Sequence, residues 1–279
     1  MPEPMPSEEI ARHTAVLHEA QDSGAIVTSA IALAASEDRN AIIALARAMR
    51  LPGFFARLEG SEEPTTDSVT NLADVFIALT EHANETTGRL CELIYGEESF
   101  RELPARMNPL LFALGAVKPV TPRAVEIFRE TSASGYAQVN GPLLLANGEP
   151  PALEVFAEII SGDWVEAYVK VDILHRALLP VRDRLPVVQM CIRLLGGQLE
   201  ETVRIGLVEA LYDYRSKEWF GPAMYPPKPP DWNQAPDASL ELLIRLGERL
   251  LGETLPPGVL AAVRTTTAAL TAILKGRRQ

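Results

Sequence analysis

The sequence predicts an all-α chain assembled from helix pairs, and three observations predict it. Apolar residues recur at i, i+3, i+4 and i+7 through most of the 279 residues, the spacing that lines one face of a helix. Glycines close the apolar runs at Gly162, Gly196 and Gly252, and prolines open them at Pro151 and Pro257. Glycine takes the left-handed conformation that ends a helix, and proline loses no hydrogen bond at a helix start. The third observation is an internal repeat. PRAVEIFRETSASG from Pro122 aligns with PALEVFAEIISG from Pro151, so that Ala124 falls on Ala152, Ile127 on Val155, Phe128 on Phe156 and Glu130 on Glu158. The same frame returns, more weakly, at VVQMCIRLLGG from Val187 and at SLELLIRLGERLLG from Ser239.

Taken in order, the first part of the chain, 1–60, predicts helices near 7–21, 24–36 and 39–58. Asp22 and Asp38 stand where a side-chain oxygen can accept from free first-turn amides. The polar, proline-bearing EGSEEPTTDS (Glu59–Ser68) reads as a linker into a second part, 61–120, with helices near 67–82, 84–95 and 98–116. Asn84 is a third candidate cap there. The third part, 121–279, holds the repeat. Within it VNGPLLLANG (Val139–Gly148) admits two readings: a short helix starting at Pro142, or a hairpin turning on Asn140-Gly141.

Each repeat has a second half. After Gly196-Gly197-Gln198 comes LEETVRIGLVEALYDY, in which Val203, Leu207, Ala210, Leu211 and Tyr214 form one stripe at helical period. DWVEAYVKVDILHRALL follows Gly162 in the same way, and PPGVLAAVRTTTAALTAIL follows Gly252. ETVRIGLVEAL (Glu201–Leu211) resembles the second-helix signature of HEAT/armadillo-like repeats: Val203, Arg204, Ala210 and Leu211 match, whereas Leu207 stands where that family usually has alanine. The resemblance covers residues 121–275 most clearly. It implies a right-handed superhelix of antiparallel helix pairs, an α-solenoid whose second helices line a concave side with residues such as Lys170, Arg204 and Tyr212. It also implies a binding scaffold rather than a particular activity.

The interval between the last two repeats is too long, and the excess is YDYRSKEWFGPAMYPPKPPDW. Residues 215–236 therefore read as an insertion, and insertions into repeats often map to the binding face. Tyr212, Tyr214, Arg215, Lys217, Trp219, Phe220, Tyr225 and Trp232 concentrate there in a chain only 6% aromatic. Aromatics and arginine dominate binding hot spots, and proline presets a loop's shape. Two other uses stay open: a cover over the edge between two repeats, or a lid on a small-molecule pocket.

Composition narrows the function classes. The net charge of −11 is uneven: residues 1–180 carry 26 acidic against 13 basic side chains, and residues 181–279 carry 11 against 13. Such a charge repels phosphate backbones, which argues against nucleic acid and for a protein partner offering a basic or extended segment. Cys91 and Cys191 lie inside apolar helical runs and read as reduced, buried thiols, which places the protein in the cytoplasm. The opening MPEPMPSEEI carries no secretory signal, and the longest charge-free window, 131–148, is too polar to span a membrane.

Catalytic and metal motifs are absent, and no cofactor is implied. His13 and His18 are five residues apart, about 140° around a helix, and no histidine, cysteine or carboxylate set has zinc spacing. Asp172 and His175 could form an orienter–base pair, but Arg176 competes for the same carboxylate at i+4. The basic end, with Lys275, Arg277 and Arg278, suits a helix C-terminus or a docking tail. The leading expectation is a non-catalytic interaction scaffold. The alternative is an enzyme or small-molecule binder with its pocket under the aromatic segment, a nucleobase-acting HEAT-like enzyme being disfavoured by the acidic charge.

Overall fold

The computed structural model describes residues 5–36, 38–60, 70–81, 83–101, 104–212 and 231–279. Among these residues every regular element is a helix, so the all-α class holds. The chain divides into two compact units, Met1–Phe128 and Arg129–Gln279.

In the first unit, α1 (Ser7–Glu19), α2 (Ser23–Ala34), α3 (Arg39–Met49), α4 (Phe54–Glu59), α5 (Thr70–Glu81), α6 (Glu85–Gly96), α7 (Glu98–Arg101) and α8 (Pro104–Ala116) follow one another. Helix starts obey local chemistry. Asp22 accepts from the Ala25 amide at 2.8 Å, Asp38 from Asn40 at 2.6 Å, and Asn84 from Thr86 and Thr87 at 2.9 and 3.2 Å. Each satisfies amides that have no intrahelical acceptor. The helix expected over 39–58 is two helices, because Gly53 takes φ +71° between them.

Most helices pack on their successors, the α5–α6 pair excepted, and the long ones again on another long helix further along the chain. One row is α1, α3 and α6; the other is α2, α5 and α8, with α4 and α7 as short connectors. Between the rows lies a core in which the Phe55 and Phe100 rings are 5.2 Å apart and Phe76 approaches Phe100 at 6.4 Å. Arg57 ties the end of α1 to α4 by donating to the Leu17 and Ala20 carbonyls at 3.1 and 2.9 Å.

Helix α9 (Pro122–Thr131) leads into the second unit through a kink at 132–136, where Ser134 leaves helical geometry and Gly135 takes φ +101°. Then come α10 (Ala137–Asn147), α11 (Pro150–Ser161), α12 (Ala167–Leu178), α13 (Leu185–Leu195), α14 (Glu201–Tyr212), α15 (Asp237–Leu250) and α16 (Pro257–Arg277). The two-row arrangement recurs: α11, α13 and α15 form one row and α10, α12, α14 and α16 the other. The repeat segments beginning at Pro151, Val187 and Ser239 thus occupy successive places in one row.

The segment 139–148 is helix, and the helix begins before Pro142 rather than at it. Asn140 makes no turn; it is fully buried, and its amide donates to the hydroxyls of Thr131 and Ser132 at 2.9 and 2.8 Å. Gly141 is a contact, not a hinge: a Cβ there would overlap the Ile173 side chain of α12. The α12–α14 joint is similarly close, since a Cβ on Gly206 would lie 3.0 Å from Val171. Helix α16 is, among the described residues, the one long and apolar enough to cross a membrane by length and composition. Here it ends a row, with Val259, Val263, Leu270 and Leu274 buried against α14 and α15.

Candidate functional site

The aromatic segment leaves α14 after Tyr212 and returns before Trp232; residues 213–230, and with them Tyr214, Arg215, Lys217, Trp219, Phe220 and Tyr225, lie outside the described residues. What the structure does describe is the stem. Tyr212 is 2% exposed, and its hydroxyl donates to the Leu243 carbonyl of α15 at 2.6 Å. The Thr266 hydroxyl of α16 donates back to the Tyr212 carbonyl at 2.7 Å. Burial pushes the Tyr212 phenol well above its ordinary range, so it remains a hydrogen-bond donor.

Arg182, also 2% exposed, joins the two sides of the stem. One of its nitrogens faces the Ala210 and Leu211 carbonyls at 3.4 and 3.2 Å, the orphan acceptors in the last turn of α14. Its guanidinium also lies 5.1 Å from the centre of the Trp232 ring, a cation–π contact that gains from exclusion of water. Beyond Trp232, Arg277 completes the return. It donates to the Trp232 and Ala235 carbonyls at 3.0 and 2.8 Å and pairs with Asp237 at the start of α15. Arg278 pairs with Glu241. Arg277 and Arg278 are therefore engaged within the chain and do not form a free docking tail; α15 offers the carboxylates that hold them, and the turn before it the carbonyls.

Two residues expected on a binding surface are core residues. Tyr212 is one. Lys170 is the other: it is 2% exposed, and its amine reaches Glu200, at the start of α14, at 3.1 Å. A long side chain threads the α12–α14 joint and puts its charge on a carboxylate thirty residues along. Arg204 is half-buried and paired with Glu253. Trp232 alone, of the described residues expected from the segment, keeps part of its surface in solvent.

The remaining chemistry is sparse. Arg176 donates to Asp172 at 2.8 Å, while His175 faces Glu209 on α14 at 3.5 Å, so Asp172 serves an ion pair. Cys91 and Cys191 are buried free thiols; burial raises the Cys191 thiol to about 12 and Cys91 further still, which suppresses the thiolate. Among the described residues no three histidine, cysteine or carboxylate side chains gather as metal ligands.

Sequence reasoning missed one surface. Trp164, in the turn from α11 to α12, and Tyr168, in the first turn of α12, are 43% and 72% exposed. The signal was present in GDWVEAY, two aromatics among acids at a predicted helix boundary. No protein-family model matches the chain, and neither a curated protein nor a solved structure matches it.

Proposed function

We propose that the chain is a non-catalytic interaction scaffold that presents residues 213–232 to a protein partner. Each two-row unit is, on this reading, a stretch of HEAT-like solenoid, with the second helices forming the concave side. The observation that carries the reading is the stem. Arg182, Tyr212, Thr266 and Arg277 fix both ends of the aromatic segment, so a partner meets it at a set position and less ordering entropy opposes binding. Tyr212 and Trp232 stand at its two ends. The buried free thiols suit a reducing compartment such as the cytoplasm.

The test is quantitative capture from extract of the cells that make the protein, comparing the wild-type chain with a Trp219→Ala/Tyr225→Ala variant of equal melting temperature. Loss of the enriched partners supports the reading. An unchanged set of partners rejects it.

A further inference from the structure

We propose that the α11–α12 turn of the second unit is a docking surface for a basic, extended segment of a partner protein; this rests on the scaffold reading and gives it a partner chemistry. Three features of that end of the unit converge. The first is exposed aromatic area. Trp164 leans against Gly162, where any Cβ would overlap its indole, and still leaves 43% of its surface in solvent; Tyr168, one helical turn on, leaves 72%. Large rings left to water are the groups that bound partners cover.

The second is a groove of about 330 Å³ between the ends of α11 and α13, lined by Glu154, Glu158, Ser161, Arg193, Gln198 and Leu199. Ser161 directly precedes Gly162, so the groove and the Trp164 turn are continuous along the chain. The volume sits at the small end of the range for recognised pockets, ~300–1,000 Å³. It fits the side chains of an extended peptide better than an enclosed ligand.

The third is charge. Asp163 and Glu166 flank Trp164 and are exposed, as are Glu154 and Glu201, and none of these four forms an ion pair among the described residues. Of the cations nearby, Arg129 is held by Glu158 at 2.7 Å and Lys170 is buried on Glu200; Arg193 alone faces the groove without a carboxylate partner among the described residues. Carboxylates around exposed rings select a cationic side chain twice, by Coulomb attraction at the rim and by the ring face itself. An acidic peptide or an anionic membrane gains neither.

The assay uses the full chain and two fluorescent 15-residue peptide series in a Gly/Ser/Pro background, one carrying lysine and arginine at varied spacing and one carrying glutamate. Anisotropy should show the basic series binding, weakening as salt rises, and the acidic series not binding. Trp164→Ala/Tyr168→Ala should lower affinity for the basic series about tenfold or more. Glu166→Lys/Glu201→Lys should turn the preference toward the acidic series. All four positions except the indole's inner edge are at the surface, so melting temperatures should stay near that of the wild type. Equal binding of both series, no binding of either, or an affinity indifferent to Trp164, Tyr168, Glu166 and Glu201 overturns the proposal. The Trp219→Ala/Tyr225→Ala variant separates the two readings. If it loses its partners but binds the basic series as the wild type does, both readings stand; if it loses its partners and the wild type does not bind the basic series, the scaffold reading stands and this surface falls; if it binds the basic series normally while capturing its partners, this surface stands and the aromatic segment loses its role.

Discussion

Glu59 offers the sharpest test of the packing in the first unit. It ends α4 with 9% of its surface exposed, and one carboxylate oxygen accepts from the Leu72 amide at 3.2 Å. In return Asn71, in the first turn of α5, donates to the Leu58 carbonyl at 2.8 Å. Glu59 thus caps α5 from inside the core. Burial raises its carboxyl from an ordinary 4.5 to about 7, against the pull of the Leu72 amide and the Arg106 charge. In the unfolded chain the proton leaves near 4.5; in the folded chain it stays until about pH 7. The folded state therefore holds an extra proton between those values, and stability falls as pH rises through the window. At about 1.4 kcal/mol per pH unit, the whole window amounts to about 3 kcal/mol. Glu59→Gln keeps the acceptor for Leu72 but cannot ionise. The other Glu59 oxygen has no hydrogen-bond partner among the described residues, so there the glutamine amide takes the place of a protonated carboxyl. Urea unfolding at pH 5, 6, 7 and 8 should find the variant near wild type at pH 5 and more stable by about 2–3 kcal/mol at pH 8. A difference independent of pH, or one favouring wild type as pH rises, refutes the assignment of a buried, reluctant carboxylate.

Other outcomes follow from the second unit. Gly141→Ala should cost about 1–3 kcal/mol in chemical unfolding, because the new methyl must displace Ile173 or part α10 from α12. Arg182→Met should cost about 2–4 kcal/mol, since it strips two carbonyls and the Trp232 ring of their partner at once; Arg182→Lys should recover little of that, lacking the planar fork. Cys91 and Cys191 should resist a thiol reagent at pH 8 until denaturant is added, and both should react in the unfolded chain.

How far the sequence could be read depended on how local the cause was. Asp22, Asp38 and Asn84 were legible as caps because the whole interaction lies within three residues. Helix existence was legible for the same reason; the 39–58 error came from reading through Leu51-Pro52-Gly53, whose turn chemistry outranks the apolar period. Asn140-Gly141 shows the opposite case. A hairpin dipeptide became helix interior because Thr131, Ser132 and Ile173, from three neighbouring elements, fill the space around it. Lys170 and Tyr212 looked like surface residues by type, and each is buried by a partner thirty or thirty-one positions away. Arg182 carried no pattern at all, and Arg277 only that of a basic helix end. Their value lies in reaching carbonyls at helix ends that only the folded chain brings near.

Those arginines bear on whether the aromatic segment is part of the body or something the body holds. If its rings cover the edge between two repeats, replacing them exposes core and the protein loses stability. If the stem alone closes the structure, the intervening residues can change freely. The stem contacts predict the second outcome: Tyr212, Arg182, Thr266 and Arg277 satisfy groups on both sides of the segment through contacts among the described residues. Replacing 214–229 by a Gly/Ser chain of equal length leaves loop length, and so its closure term, unchanged. Unfolding free energy should then shift by no more than about 0.5–1 kcal/mol, the range of surface substitutions plus some loop stiffness. A loss of several kcal/mol, with dye binding to newly exposed apolar surface, would make the aromatics a core cover and leave the Trp164 surface as the protein's binding face.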